Sequence, residues 1–369
     1  MSNDIKNLDM FDWYYKDLFN WESKSYYKKA ERIVFCGEKK DDNDFMVFLK
    51  KIKVNNNFQH ILKEIYFLAC CHKNNNYIQI VDVFLSDDKE YIFLILKNEG
   101  ISLDYFIDYN DNFDIREVTD MIKWITFQII KGLNVLHKNN LVHNDIKPSN
   151  IVISNIGLTK ICDLGSVDKT NEKGHGTFYY NSPNVLLGNN SSPKDDMWGV
   201  GIIMIELYQK KSPFFNYKSL LSSSYDFNHD KKQRNNFQLK AILSKYKISF
   251  NNMNGNLDYD FDYIKTQIIE KNNYENYNFK AELKNIEGIN DFEALDLIKN
   301  LLEINPNKRF NAEQALNSQY LSKYNIENSE ISYKEDDYNK YIKSAINKEI
   351  FAKNLTMIKQ KFLGEVLFD

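Results

Sequence analysis

Four residues in the middle of the chain have types and intervals that could do chemistry together. The stretch 141–152, LVHNDIKPSNIV, holds Asp145, then Lys147, then Asn150, and Asp163 follows thirteen residues after Asn150, directly behind Ile161 and Cys162. A carboxylate can accept a proton, an ammonium can meet an anionic group, and carboxylate and amide oxygens suit a hard cation such as Mg2+. Each of these residues taken alone is as readily a turn residue, and for Asp145 by itself the two readings stand level.

Such a set needs a scaffold. Only one glycine, Gly37, precedes Gly100, and all five prolines lie at or after Pro148, so the N-terminal quarter is built from elements that need neither. Residues 26–38 and 45–49 read as strands across a polar turn at 39–44. Residues 58–72 have helical spacing, with Ile61, Leu62, Ile65 and Leu68 on one side. Two more strands, 77–84 and 91–96, flank the turn 86–89. Residues 114–138 form a long amphipathic helix, and the rest is mostly helical apart from a hairpin at 150–163. The expected class is α+β, a small β-rich lobe with one long helix before a larger, mainly helical lobe. There are no internal repeats. The polar stretch 222–236 reads as a loop or insertion, and the tail from Asn325 is charged and helical.

Bulk properties exclude several classes. Of the 369 residues 43% are hydrophobic and 14% aromatic, which is enough for two real cores and too much for a disordered chain. A net charge of -3 makes no case for nucleic acid or an anionic membrane as partner. The four cysteines, Cys36, Cys70, Cys71 and Cys162, form no CxxC pair and read as reduced thiols of an intracellular protein. Neither a signal peptide nor an apolar membrane span is expected, which allows cytoplasm or nucleus.

Several segments, in order, resemble eukaryotic protein kinases of the Ser/Thr type. Residues 141–152 resemble the catalytic loop and Asp163-Leu164-Gly165 the metal-binding turn. The run 176–184, GTFYYNSPN, resembles GTxxYxxPE; 196–201 resembles the DxWxxG helix start, 305–309 the NPxxR motif and 46–52 the VAIKK strand. The resemblance runs from residue 20 to 325. It implies a bilobal kinase domain (small lobe 20–97, large lobe 98–325) between an N-terminal extension, 1–19, and a helical tail, 326–369. It implies ATP and Mg2+ as cofactors and a protein hydroxyl as acceptor of the γ-phosphate. That reaction depends on positioning and charge neutralisation more than on covalent chemistry. By the resemblance, Asp145 would orient the Ser or Thr hydroxyl and accept its proton. Lys147 would meet the transferred phosphate, and a lysine there points to Ser/Thr rather than Tyr substrates. Asn150 and Asp163 would hold Mg2+. Lys50 would contact the α- and β-phosphates, with Glu64 as its partner. Lys51 is the rival, because a period of two sends only one of the two lysines into the cleft. Leu96 would be the gatekeeper beside adenine, with Lys97 in place of the hinge acid. Thr177 would hydrogen-bond near Asp145 and Lys147. Leu68, Ile80, His143 and Leu164 would stack between the lobes. Asp196 would cap its helix and brace the catalytic loop.

The departures are as specific as the matches. No GxGxxG is possible, and the corresponding stretch is expected at 20–27, where bulky residues keep the backbone away from phosphates. Phe48 stands where the family has a small residue above adenine; were Lys51 the phosphate contact, Leu49 would take that place. Asn144 replaces the Arg of HRD, and the segment 163–184 is short, so activity independent of activation-loop phosphorylation is expected. Asn184 replaces the acid that pairs with the buried arginine, here Arg309, so the Asn184 oxygen or backbone carbonyls are expected to substitute. Residues 212–215 and 238–242 loosely resemble the matching region of cyclin-dependent and casein-type kinases. The tail carries Ile342, Ile346, Ile350, Leu355, Ile358, Phe362 and Val366, read as a helix packed on the large lobe, or alternatively as a partner-binding helix. Two functional readings follow. Lys50, Glu64, Asp145, Lys147, Asn150 and Asp163 are all present, which favours an active Ser/Thr kinase. The lost glycines, Phe48, Asn144 and Asn184 favour a pseudokinase that binds or scaffolds. A small-molecule kinase is argued against by GTxxY and DxWxxG.

Overall fold

The computed structural model describes residues 19–21, 27–29, 32–40, 42–55, 58–109, 115–210, 213, 231–250, 279–283, 286, 288–324 and 329–363. The chain has the expected α+β, two-lobed arrangement. In the small lobe, strands β1 (Phe19–Trp21), β2 (Tyr27–Lys29), β3 (Arg32–Lys39) and β4 (Asp42–Lys53) precede helix α1 (Phe58–Cys70), and β5 (Ile80–Leu85) and β6 (Tyr91–Lys97) follow it. The sheet is antiparallel in the order β1-β3-β4-β6-β5, with β2 also on β3.

Register decides which side chains enter the cleft. Lys50 lies opposite Leu94, and Phe48 opposite Leu96. Directly opposed residues share a sheet face, so these four lie together and Lys51 lies on the other side. There the Lys51 ammonium sits 4.0 Å from the centre of the Tyr91 ring. The first strands fold back elsewhere than expected. Lys29 pairs with Arg32, so the chain reverses between those two residues and not along 20–27, of which 22–26 lie outside the described residues. Residues 26–38 therefore hold parts of two strands, and the next turn is tighter than 39–44, since Lys39 already pairs with Asp42. Pairing partners set where a strand folds back, and a local pattern does not contain them.

Helix α1 forms because no glycine or proline interrupts 58–70 and its apolar residues recur at helical spacing. Ile61, Leu62, Ile65 and Leu68 are all buried. The large lobe opens with β7 (Ile101–Ser102), α2 (Leu103–Tyr109) and the 24-residue α3 (Ile115–Lys138). Short strands follow: β8 (Leu141–Val142), β9 (Ile151–Ile153), β10 (Thr159–Ile161) and β11 (Asp168–Lys169), with β9 paired to β10 and β8 to β11. Next come α4 (Pro183–Leu186) and α5 (Pro193–Gln209). Helix α5 is buried almost all round, so it forms the spine of the lobe. The remainder is α6 (Lys231–Leu243), the hairpin β12 (Tyr246–Phe250) and β13 (Phe279–Leu283), α7 (Phe292–Leu301) and α8 (Ala312–Leu316). Thus part of the polar stretch 222–236 is helical; residues 222–230, like 212, 214 and 215, lie outside the described residues.

The tail departs from expectation. Helices α9 (Glu335–Tyr338) and α10 (Lys348–Ile358) pack mainly against the small-lobe helix α1, and α9 reaches the large lobe only through Glu335 and Tyr338 beside Lys169 of β11. Phe351 meets Phe58 with ring centres 5.6 Å apart, and Tyr66 is ringed by Tyr333, Tyr338, Tyr341 and Phe362. The tail's own spacing reveals an apolar side, but not which lobe offers the aromatic surface to receive it. Ile342, Leu355 and Ile358 are buried, Ile346 is exposed, and Val366 lies outside the described residues. No helix among the described residues is long and apolar enough to cross a membrane.

Candidate active site

The loop 143–150 is held from below and presents Asp145 above. Asp196, in the first turn of α5, accepts the backbone N–H groups of His143 and Asn144, each at 2.8 Å, and the His137 ring nitrogen at 2.8 Å. The bracing expected of Asp196 is present, but the capping is done by others. Ser192 caps α5, and Asp195, three residues on, completes a reciprocal capping box. Asn144 sits in the left-handed region at φ 68°, a conformation that asparagine tolerates better than most side chains. Its amide donates to the carbonyls of Val142 at 3.2 Å and Ser166 at 3.1 Å, tying the loop to the turn after Asp163.

Around Asp145 the predicted residues converge. Its Oδ1 accepts from the Thr177 hydroxyl at 2.6 Å and the Thr177 N–H at 2.8 Å. Its Oδ2 accepts from Lys147 Nζ at 2.6 Å and Asn150 Nδ2 at 3.0 Å. Lys147 also donates to Thr177 Oγ1 at 2.7 Å. Burial pushes the Asp145 carboxyl up, but the bonds from Lys147 and Thr177 and the charges of Lys147 and His143 outweigh it, so the net displacement is downward. The group is therefore ionised at neutral pH. Thr177 is delivered by Gly176, whose φ of +124° and close approach exclude a side chain, since a Cβ there would lie 2.0 Å from the Asn144 carbonyl oxygen.

Asn150 and Asp163 offer oxygens of the right kind for a cation. The Asn150 amide nitrogen is spent on the Asp145 carbonyl, at 2.8 Å, and on its carboxylate, which leaves the amide oxygen to meet a ligand. Asp163 stands at φ 55° at the start of a tight 3-10 turn, Leu164–Ser166. One carboxylate and one amide oxygen are a sparse set, and they fit Mg2+, which keeps waters and takes substrate phosphate oxygens. Among the described residues no group of three or more His, Cys, Asp or Glu side chains could hold a metal.

Lys50 and Glu64 form an ion pair across the small lobe, with the Glu64 side chain only 3% exposed. The other Glu64 carboxylate oxygen is buried without a hydrogen-bond partner among the described residues. The pair and Asp163 share one neighbourhood. Burial lifts the Cys162 thiol to about 12, and the charges of Asp163, Lys50 and Glu64 all act on it. Leu96, opposite Phe48, lies on the same face. Leu68, Ile80 and Leu164 belong to one buried cluster, and His143 is fully buried.

The segment after Asp163 is tied to α1 through Asp168. Lys63 of α1 donates to Asp168 at 2.9 Å, and His175 lies 3.7 Å from the same carboxylate. Burial raises the Asp168 carboxyl, yet the nearby His175 ring and the hydrogen bond and charge of Lys63 bring it below its ordinary value. A carboxyl whose folded-state value is depressed adds stability that is full above its unfolded-state value and is lost as pH falls through the folded-state one. Lys63→Ala is therefore expected to be less stable than the unaltered chain at neutral pH, with the gap narrowing below about pH 4. Urea unfolding at a series of pH values reads this directly, and a gap independent of pH would refute it.

Arg309 is fully buried, and of its two expected substitutes the Asn184 oxygen is engaged elsewhere. Asn184 bonds instead to the Asn190 carbonyl and to the Asn189 amide. The guanidinium donates to Asp195 at 3.1 Å and to the carbonyls of Glu303 at 2.8 Å and Lys194 at 3.2 Å, and lies 5.0 Å from the centre of the Trp198 ring. Backbone carbonyls thus contribute as expected, but the carboxylate comes from Asp195, which also accepts from the Ser182 hydroxyl at 2.5 Å. Sequence reasoning missed Asp195, although the pattern Ser192-x-x-Asp195 ahead of an apolar run is a capping-box signal.

The fold and this cleft define a two-lobed phosphotransferase architecture, and comparison with known proteins agrees. The family model described as protein kinase domain matches residues 33–321, so the chain belongs to the protein kinase domain family. Similar proteins include the serine/threonine-protein kinase SSN3 of Candida albicans, 31% identical over 66% of this chain and 41% of the relative. Cyclin-dependent kinase 8 of Drosophila melanogaster is 27% identical over 83% of this chain and 70% of the relative. Mitogen-activated protein kinase pmk-1 of Caenorhabditis elegans is 28% identical over 78% and 72%. The chain therefore spans less than half of the Candida relative's length but over two thirds of the other two.

Proposed function

We propose that this chain is a Ser/Thr protein kinase that transfers the γ-phosphate of ATP to protein hydroxyls, in the cytoplasm or nucleus, without phosphorylation of its own activation segment. The observation that carries the reading is the Asp145 carboxylate, ionised and held at both oxygens by Lys147, Thr177 and Asn150. In this arrangement Asp145 orients the substrate hydroxyl and takes its proton, and Lys147 meets the phosphoryl group as charge develops on it. Lys50, held by Glu64, contacts the α- and β-phosphates, and Leu96 borders adenine as gatekeeper. Asn150 and Asp163 would hold Mg2+, which neutralises phosphate charge when bound. Independence from loop phosphorylation rests on the Lys63–Asp168 bond, where a resident carboxylate already joins the segment to α1.

The reaction is tested by ADP release from Mg-ATP with casein or myelin basic protein, followed by mass spectrometry of the acceptor. Turnover on Ser or Thr, with Asp163–Asn184 unmodified, is the expected result; phosphotyrosine alone, or turnover only after the segment is modified, contradicts it. The opposed reading is a pseudokinase. The side chain of Phe48 facing Leu96, together with a first turn, between Lys29 and Arg32, whose sequence holds no glycine, favours it. A thermal shift with Mg-ATP and no turnover on any acceptor would establish it. A partner at the C-terminal helix has little apolar surface to use, because Phe351, Leu355 and Ile358 are buried within the chain and Ile346 is left exposed.

A further inference from the structure

We propose that the C-terminal segment 329–363 is a positioning element for Glu64, and that it holds α1 where the Lys50–Glu64 pair can form, so that the chain's own tail completes the cleft. The proposal rests on the reading of that pair as a nucleotide contact.

Helix α1 is two-sided. Ile61, Glu64, Ile65 and Leu68 follow one another on the side toward the sheet, and Gln59, Lys63, Tyr66 and Cys70 on the other. The tail covers that second side. The Tyr66 hydroxyl donates to the Lys334 carbonyl at 2.9 Å, and the Phe67 ring stacks on Tyr333 with centres 5.9 Å apart. The Ser332 N–H donates to the Cys70 carbonyl at 2.9 Å, closing the helix end, and Gln59 donates to the Lys343 carbonyl at 3.2 Å. Phe58 completes the row against Phe351. Without the tail, Phe58, Tyr66 and Phe67 would face water, a large apolar area for one helix to carry.

The tail also grips what lies on either side of the helix. Lys359 pairs with Asp82 of β5 at 2.6 Å, Lys348 pairs with Glu90, and Glu335 pairs with Lys169 of β11. Lys169 is next to Asp168, which Lys63 of α1 already holds. Helix, sheet and the segment after Asp163 are thereby fastened to one strap. Within the strap, Asn354 donates to the Tyr341 carbonyl at 2.7 Å and to Ser344 at 2.9 Å, so its two halves move together. A helix carrying half of an ion pair across a cleft controls that pair by its position.

The test uses the full chain carrying Phe351→Ala, Phe351→Leu, or the double reversal Lys348→Glu with Lys359→Glu, which leaves the apolar packing untouched. Amide exchange is read separately for 58–70, for 348–358 and for α5, and binding of Mg–AMP-PNP is titrated. In Phe351→Ala and in the double reversal, exchange of 58–70 is expected to rise about tenfold while α5 is unchanged. The Kd for Mg–AMP-PNP weakens about fivefold, since affinity scales with the fraction of chains holding the pair. Phe351→Leu stays within about twofold of the unaltered chain. The proposal fails if 348–358 loses protection while 58–70 and the Kd hold. It fails equally if α5 loosens together with α1, which would make the tail a general support. A wild-type chain without turnover would overturn the kinase reading and leave both of these readouts intact.

Discussion

Asp145→Asn is expected to lower kcat by about a hundred- to ten-thousandfold, the usual contribution of a positioned general base. With a single oxygen the amide can accept either from Thr177 or from Lys147 and Asn150, not from both as the carboxylate does, and it cannot take a proton. The Kd for Mg-ATP should change little, because Lys50 and Asp163 are untouched and Asn150 keeps its bond to the backbone carbonyl of residue 145, so the loss falls on turnover. ADP release measured beside the parent chain checks this, and a loss of less than tenfold would remove Asp145 from the role of base. The same residue sets a pH expectation. Its carboxyl lies below the usual carboxylate value, so kcat/KM should show no acid limb from Asp145 until pH falls below about 4. A limb near neutral pH would have to belong to another group.

Asp195→Ala should destabilise the large lobe by about 3–5 kcal/mol, the range for removing one partner from a buried ion pair. Arg309 would keep its carbonyl partners but lose its carboxylate, and the Ser182 and Ser192 hydroxyls would lose their acceptor. The capping box at the start of α5 would go as well. Urea unfolding monitored by tryptophan fluorescence reports it, with Trp198 beside the guanidinium. The double variant Asp195→Ala with Arg309→Met should recover part of the loss, because both charges leave the interior together. A single-variant loss under about 1 kcal/mol would show that carbonyls alone suffice for Arg309.

The convergence of Asp145, Lys147 and Asn150 was legible because it is local. Asp145, Lys147 and Asn150 lie within six residues, and a short loop between two strands leaves them few ways to sit. The strands and helices were legible where one face is buried, as in α1 and α3, since burial imposes the period that a sequence displays. The first hairpin was misplaced because residues 26–38 look like one strand, and only the pairing of Lys29 with Arg32 shows the fold-back. The tail was misplaced for a related reason: its apolar spacing specifies a buried side and leaves the surface that buries it unstated.

By itself the sequence determined the family and the fold class, and it named the groups proposed for phosphoryl transfer, because those depend on residue types at short, regular intervals. The tertiary structure decided everything that depends on pairs brought together from far apart. Period-two alternation reduced the candidate for the proposed phosphate contact to Lys50 or Lys51; the position of α1 beside β4 joins Glu64 to Lys50, while Lys51 lies over Tyr91. Loss of the acid at Asn184 left Arg309 in need of a carboxylate, and the packing of α5 supplied Asp195, 114 residues away in sequence. The bond from the Tyr66 hydroxyl of α1 to the tail's Lys334 carbonyl spans 268 residues. A hydrogen bond or ion pair depends on distance in space, and for such separations the chain's local pattern carries no record of it.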